Sequence, residues 1–333
     1  MLYVTTRNAY DVFTANHTLI NDRCSQAGLY VPYSLTTFSP EEIIALKDKS
    51  FAQCAADILN IFFPGKLGEL DFDFCVGKSS SKMLSMNHKI VVAENWHNSV
   101  RDFSYNVNKL YGRIREELDS VETPSNWMQV AVRVAYLFGH YSQMLQHGYV
   151  VADSFFDVAV SADDFSAPMA AWYARKMGLP IGNIICGCKN DDSLWELLHH
   201  RQMHVGDRSC SNIERLIWET MGQEETKAFC DASCKIYEPD EEKYDLLRNG
   251  MFAAVVSDSR VSSVIRNVYR SSGYLLSVNS AVAYAGLQDF RASSGEGRTT
   301  LILSEQCPVC DCATVSAATG VSELDINLQF GSV

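Results

Sequence analysis

Polar side chains with chemical potential occur at two places in this sequence. Glu94, His97 and Arg101 lie within the stretch "AENWHNSVRDF", and Asp163 and Asp164 stand side by side further along the chain. Histidine and carboxylates can transfer protons, whereas the permanently charged arginine can bind an anion. A cleft that brought these residues together would offer acid–base chemistry or a site for a charged ligand.

Each of these residues also has an ordinary structural explanation. Arg101 stands where a helix is predicted to begin, and an arginine there can make surface ion pairs. Asp163 and Asp164 precede another predicted helix, whose amino-terminal end favours negative charge. Choosing between the two interpretations requires the elements that position the side chains.

The apolar patterning predicts strands that alternate with helices. Runs at 89–94, 154–162, 181–188 and 298–305 are rich in apolar residues and short enough to be buried strands. Residues 169–178 lie between two of these runs and have helical character. A strand, helix, strand unit is typical of parallel sheets, so we predict an α/β fold.

Helices are predicted along much of the remaining chain. Residues 40–64 show apolar residues at helical spacing and form two helices in succession. Ser125 or Asn126 is the expected cap of a strongly apolar helix that follows. Residues 189–270 are predicted to be mostly helical, with a surface linker within 237–252.

Composition limits the partners and the location of the protein. The 333-residue chain carries a net charge of −12 and has a pI near 5.1. Because nucleic acids and anionic membranes are bound mainly through clustered Lys and Arg, we expect neither as a partner. The amino-terminal sequence has no basic segment followed by an apolar one, and no segment is apolar enough to span a bilayer, so we expect a cytoplasmic protein.

The cysteines predict no metal site. Eleven of them are scattered along the chain without a secretion signal, so we expect reduced thiols rather than a disulfide framework. Cys307 and Cys310 within "CPVCDC" have the spacing of metal ligands. A zinc site needs four ligands, and the others would have to come from distant parts of the chain. A thiol-rich metal binder is kept as an alternative.

Several blocks of sequence together resemble one enzyme family. They are "YVTTRN" (3–8), "AGLYVP" (27–32), "SNWMQVAVRVAYLF" (125–138), the segment 158–192 and "LILSEQCP" (301–308). In this order they are similar to the opening motif, an internal helix, the phosphate-loop region and a late strand of threonine synthase, a pyridoxal-phosphate (PLP) enzyme of fold type II. The resemblance implies a tryptophan-synthase-β-like α/β scaffold with three layers around a mostly parallel sheet.

The resemblance also implies a division of the chain. Residues 1–88 would form the family's amino-terminal segment, predicted here to be helical, and 89–333 would form the remnant of the PLP domain. Arg101 and Asn126 lie only about 25 positions apart, where the family inserts much of a small α/β domain that contacts the substrate. Because a βαβ unit alone needs roughly 30 residues, we predict that most of the small domain is missing.

The residues that hold PLP in the family are changed in this sequence. Arg101 falls at the position of the family's Schiff-base lysine, and arginine does not supply the deprotonated amine that a Schiff base needs. In the phosphate loop, Asp163 and Ser166 replace glycines, and Asp163 and Asp164 bring negative charge to an anion site. Glu305 falls at the family's threonine beside the pyridine nitrogen, where a carboxylate could still pair with a protonated ring.

These changes favour a protein without PLP chemistry. We expect no cofactor and no catalytic residue, and we expect a non-catalytic binding or regulatory relative that pairs with an active relative or with itself. The candidate cleft residues for an unidentified small ligand are His97, Asn98, Arg101 and Asn126.

An enzyme is the alternative. It would be a PLP-type lyase that acts on an amino acid or a phosphorylated substrate and holds the cofactor unconventionally. Otherwise it would be a cofactor-free enzyme that uses Arg101, His97, Asp163 and Asp164 in a remodelled cleft.

Overall fold

The computed structural model describes most of the chain. It covers residues 1–21, 28–63, 65, 67–77, 82–87, 89–97, 102–115, 124–206, 211–232 and 235–330. The predicted α/β class is confirmed, because helices surround a six-stranded sheet that is mostly parallel. Across the covered residues, no helix combines the length and the hydrophobicity needed to cross a lipid bilayer.

The first part of the chain combines helices with short strands. Its elements in order are β1 (Leu2–Thr5), β2 (Asn8–Thr14), α1 (Ala15–Ile20), β3 (Tyr30–Pro32), α2 (Pro40–Ala45), a 3-10 helix (Leu46–Asp48), α3 (Phe51–Phe62), α4 (Glu69–Val76) and β4 (Lys82–Asn87). β1 pairs antiparallel with both β2 and β3. Describing residues 1–88 as helical is therefore incomplete, because the portion of this part that the structure covers also contains four strands, and β1 and β3, with four and three residues, carry little periodic signal.

The second part alternates strands and helices. Its elements in order are β5 (Ile90–Glu94), α5 (Phe103–Ile114), α6 (Asn126–Gln146), β6 (Phe156–Ser161), α7 (Ser166–Lys176), β7 (Ile181–Lys189), α8 (Ser193–His200), β8 (Met203–His204), α9 (Asn212–Met221), α10 (Gln223–Asp231), β9 (Ile236–Tyr237), α11 (Glu241–Arg248), β10 (Met251–Val256), α12 (Asp258–Ser272), α13 (Val278–Ser294), β11 (Thr300–Ser304), a 3-10 helix (Pro308–Asp311), α14 (Cys312–Thr319) and α15 (Glu323–Phe330). The four predicted strands are present as β5, β6, β7 and β11.

The surface linker predicted within 237–252 is limited to the loop 238–240, between β9 and α11. The rest of the predicted segment holds α11 and the first residues of β10. The Asp240 side chain caps α11 by accepting the backbone N–H groups of Glu242 and Lys243, so a charged, exposed stretch still forms a helix.

The central sheet has the strand order β10-β7-β6-β11-β5-β4. Neighbouring strands are parallel except for the edge pair of β4 and β5. In the register of β5 and β11, Thr300 lies opposite Ile90 and Ser304 lies opposite Glu94. The carboxyl ends of the parallel strands therefore meet at one edge of the sheet.

Helices cover both faces of this sheet. Val158 and Val160 of β6 belong to the large core cluster that also contains Ala170 of α7, whereas Ala159 belongs to a second cluster with Leu287 of α13. Successive side chains of a strand point to opposite faces, so α7 and α13 lie on opposite sides. The result is the predicted three-layer arrangement.

Serine caps define the starts of several helices. The Ser125 hydroxyl accepts the backbone N–H of Met128 at 3.2 Å, which identifies Ser125 rather than Asn126 as the cap of α6. Ser39 forms a capping box with Glu42 at the start of α2. These local contacts explain why the helix starts in these regions were readable from sequence.

Candidate functional site

The carboxyl edge of the sheet gathers most of the predicted site residues. Glu94 ends β5 beside Ser304, the last residue of β11, and Glu305 follows directly. Asp163 follows the end of β6, and Lys189 ends the neighbouring strand β7. Open α/β sheets bind ligands in the crevice outside the carboxyl ends of their strands, so the candidate site lies here.

The start of α7 is closed by a carboxylate of the chain itself. Phe165, which precedes the helix, is buried and adopts a left-handed conformation with φ of 59°. One carboxylate oxygen of Asp164 accepts the backbone N–H of Ser166 at 2.9 Å, and the other accepts the Ser166 hydroxyl at 2.7 Å. First-turn N–H groups are the ones that bind phosphate at helix amino termini. Here one of them is already bound to Asp164.

A buried network joins this turn to α6 and α9. The Asn212 side-chain amide donates to the Asp164 carbonyl at 3.1 Å and to the Ser166 hydroxyl at 3.0 Å. The Asn212 side-chain oxygen accepts a hydrogen bond from Arg215, which also donates to the side chain of Asn126. Asn126, predicted to line the cleft, is thus tied through a fully buried arginine to the start of α7.

Glu305 is engaged by an arginine of α6. Arg133 donates two hydrogen bonds to its carboxylate, from Nε and Nη2, each at 2.8 Å. Only 10% of the Arg133 side chain and 20% of the Glu305 side chain is exposed. Burial opposes the charge on Arg133, but the carboxylate of Glu305 outweighs it and holds the pKa of the guanidinium above its ordinary value. The carboxylate therefore has its cation within the chain.

Titratable side chains also surround Glu94, which forms a second part of the site. Its carboxylate accepts the Tyr274 hydroxyl at 2.8 Å and lies 3.8 Å from Lys82 Nζ and 3.9 Å from His97 Nδ1. Burial raises the pKa of Glu94, and burial together with Lys82 lowers the pKa of His97. Glu94 and His97 are thus the predicted site residues that have the features of an acid–base pair.

A cavity of about 260 Å³ opens beside the start of α7. Phe165 and Leu194 contribute apolar surface, whereas Asp163 and Lys189 contribute charge. Asp163 accepts the Ser161 hydroxyl at 2.9 Å. No group of His, Cys, Asp and Glu in the described ranges is arranged to hold a metal ion.

Comparison with known proteins supports the family resemblance. The family model for the threonine synthase N terminus matches residues 2–80. Over 232 residues the chain is 24% identical to human threonine synthase-like 1, a match that covers 65% of this chain and 29% of that protein. Over 193 residues it is 26% identical to threonine synthase of Pseudomonas aeruginosa, covering 53% of this chain and 40% of that protein. The chain is therefore similar to the threonine synthase family, both in its amino-terminal segment and along the region matched by these two relatives. It spans less than half the length of these two curated relatives.

Two solved structures share the fold of this threonine-synthase-like chain. PLP-bound threonine synthase from Brucella melitensis has a TM-score of 0.82 at 17% identity, covering 97% of this chain and 92% of that one. The yeast threonine synthase structure has a TM-score of 0.78 at 14% identity, covering 100% and 91%. The predicted scaffold of PLP fold type II is therefore confirmed. Among the residues that the structure covers, α5 is the one helix between β5 and α6.

Two of the predicted site residues cannot be placed. Asn98 and Arg101 lie outside the described residues, so their side chains contribute nothing to the geometry given above. The structure brings Asp164, Ser166 and Asn126 into one hydrogen-bonded network. His97 lies in the separate group around Glu94.

Sequence reasoning missed the two arginines that organise the site. Arg133 and Arg215 are both largely removed from solvent and both bind predicted site residues. A signal for Arg133 was present, because a charged residue inside the apolar run "VAVRVAYLF" must find a partner when the helix is buried. Nothing in the sequence indicated that this partner would be Glu305, 172 positions away.

Proposed function

We propose that this chain is a threonine-synthase-like protein that binds no PLP, has no threonine synthase activity and acts as a non-catalytic binding or regulatory paralogue. The observation that carries the proposal is the Asp164 carboxylate on the Ser166 N–H at the start of α7. A phosphate would need the same helix end and would meet negative charge from Asp163 and Asp164. These residues do not fit a phosphate-bearing cofactor.

Two further features support the proposal. Arg101 occupies the position that the resemblance assigns to the Schiff-base lysine, and a guanidinium does not become a nucleophilic amine near neutral pH. Glu305, at the position that the resemblance places beside the pyridine nitrogen, already accepts two hydrogen bonds from Arg133. The covalent anchor, the phosphate site and the ring partner are thus all altered.

The experiment is a PLP titration followed by absorbance spectroscopy. The purified chain is mixed with PLP, freed of unbound cofactor by gel filtration, and scanned for the visible band of an internal Schiff base. Pseudomonas aeruginosa threonine synthase is treated in the same way as a positive control. We expect a band for the control and none for this chain. A retained band on this chain would reject the proposal, because it requires a lysine–PLP bond.

An enzyme remains the second candidate, and the group around Glu94 is the observation that favours it. Glu94 and His97 have shifted pKa values and lie beside a lysine, Lys82, at the carboxyl edge of the sheet. A PLP adduct on Lys82 after borohydride reduction would favour an unconventional PLP lyase. Turnover of an amino acid or phosphorylated amino acid that His97→Gln abolishes would favour a cofactor-free enzyme.

We also propose that the protein acts in the cytoplasm. A regulatory role requires a protein partner. The partner would be an active member of the family or a second copy of this chain. Light scattering after gel filtration, performed on the chain alone and mixed with an active threonine synthase, distinguishes the two. A chain that stays monomeric in both samples would contradict pairing of either kind.

A further inference from the structure

A second cleft lies at the opposite edge of the sheet from the candidate site. It has a volume of about 550 Å³ and is formed by α12, α13 and Ile90, the first residue of β5. Its apolar surface includes Ile90, Val264 and Leu287, each of which is at least 95% buried. Clefts of several hundred Å³ with apolar walls and a few fixed polar groups are typical small-molecule sites.

Arg291 of α13 supplies a fixed positive charge to this cleft. Its Nη2 donates to the carbonyl oxygens of Lys89 and Arg298, each at 3.1 Å, and to the Thr300 hydroxyl at 3.2 Å. Three acceptors on one nitrogen hold the guanidinium in place. Within the described ranges, Nε and Nη1 of Arg291 have no hydrogen-bond partner, and no carboxylate forms an ion pair with this side chain.

The charge of Arg291 is only partly compensated by its surroundings, because burial opposes the charged form more than Tyr284 and the carboxylate of Asp157 favour it. Partial burial lowers the pKa of this guanidinium below its ordinary value, which means that the charged form is less well solvated than in water. The other arginine of the cleft differs, because Arg260 donates to Gln288 at 2.8 Å and lies 3.6 Å from the Asp289 carboxylate. The cleft thus retains one net positive charge in a chain whose total charge is −12.

Asn267 and Tyr284 add neutral polar groups to the lining. The Asn267 amide and the Tyr284 hydroxyl line the cleft, and neither has a hydrogen-bond partner in the part of the chain that the structure describes. Both can donate to an oxyanion. With Arg291 they surround the apolar surface of Leu287 and Val264 with donors.

We propose that this cleft binds a small organic anion, with one carboxylate or phosphate group on Arg291 and an apolar body against Val264 and Leu287. A guanidinium recognises both kinds of oxyanion through paired N–H donors. The site is separate from the proposed loss of PLP, because it adjoins the first residue of β5 rather than the last.

The test is calorimetric titration of the full chain with defined probes. Benzoate and phenyl phosphate each present an oxyanion on an apolar ring, inorganic phosphate presents the anion alone, and benzyl alcohol presents the ring alone. We expect one ring-bearing anion to bind at least tenfold more tightly than phosphate and benzyl alcohol. The better of the two identifies a carboxylate or a phosphate site. Equal or undetectable binding of all four probes would overturn the proposal.

Two variants locate the binding. Asn267→Asp leaves every hydrogen bond of Arg291 in place and adds a negative charge to the lining, so we expect at least tenfold weaker binding of the anionic probe. Arg270→Gln removes an exposed positive charge from the same helix outside the cleft and should change the affinity less than twofold. Equal weakening in both variants would show a general charge effect, and an unaffected Asn267→Asp variant would place the binding elsewhere. Either result rejects the proposed site.

Discussion

Substitutions in the ion pair between Arg133 and Glu305 test most directly how the candidate site is stabilised. The two side chains are 90% and 80% buried and share two hydrogen bonds of 2.8 Å. Removing one partner of a buried pair leaves an uncompensated charge and costs about 3–5 kcal/mol. Because Glu305 retains some contact with solvent, we expect Glu305→Gln to lower the free energy of unfolding by about 3 kcal/mol.

A double-mutant cycle separates the pair from its surroundings. Arg133→Met, Glu305→Gln and the double variant are unfolded in urea, and the free energies are extrapolated to water. Glu305→Gln alone leaves the charge of Arg133 buried without a partner, and Arg133→Met removes that charge. We therefore expect a coupling energy of about 2 kcal/mol. Arg113 and Asp71 form a matched control with an N–O distance of 2.9 Å, and about a third of each side chain is exposed.

The control pair should couple more weakly than the buried pair, because exposed ion pairs are screened by water. If the Arg133 and Glu305 variants coupled no more strongly than the Arg113 and Asp71 variants, the carboxylate of Glu305 would not be held by this pair. The claim that the chain's own arginine satisfies that position would then be refuted.

Three further predictions concern the same scaffold. Asp164→Ala should destabilise the chain by about 1–2 kcal/mol in urea unfolding, because the start of α7 loses its cap; an unchanged midpoint would contradict the contact with Ser166. Burial raises the pKa of Glu219 from its usual 4.5 to about 7, so the folded state binds more protons and stability falls as pH rises through that window. Glu219→Gln should therefore match the parent at pH 4 and exceed it by about 3 kcal/mol at pH 8, and parallel pH profiles would contradict this assignment. Gly187→Ala should lower the free energy of unfolding by at least about 2 kcal/mol, because the added Cβ would overlap the Val282 carbonyl oxygen. Gly112 has open space around it, so Gly112→Ala should stabilise α5 by about 0.5–1 kcal/mol. Equal effects of the two substitutions would refute the close packing of β7 against α13.

Local patterns explain which parts of the fold could be predicted. The strands β5, β6, β7 and β11 are short apolar runs, and each could be predicted because such runs are typical of buried strands. β10 was missed, since "MFAAVV" (251–256) follows a charged helix and its apolar run fits either a strand or a buried helix. Its assignment as the edge of the sheet depends on pairing with β7, which only the tertiary structure provides.

In the candidate site, too, local features could be predicted from the sequence, whereas contacts between distant residues could not. The carboxylates at Asp163 and Asp164 could be recognised from sequence as unfavourable to phosphate, because charge and glycine replacement are local properties. The contact of Asp164 with Ser166 spans two residues, but it requires the left-handed turn at Phe165. The partners of Glu305 and Asn126 lie on distant helices, so no spacing rule could reveal them.

Borohydride reduction followed by intact-mass measurement tests the central claim most directly. The chain is produced in cells supplied with PLP precursors, incubated with PLP, reduced, and weighed after removal of free cofactor. We predict the unmodified mass, because Arg101 stands where the resemblance places the Schiff-base lysine and our proposal assigns the cofactor no other anchor. A mass increase of one reduced PLP, mapped to a single lysine, would contradict the account and locate the anchor.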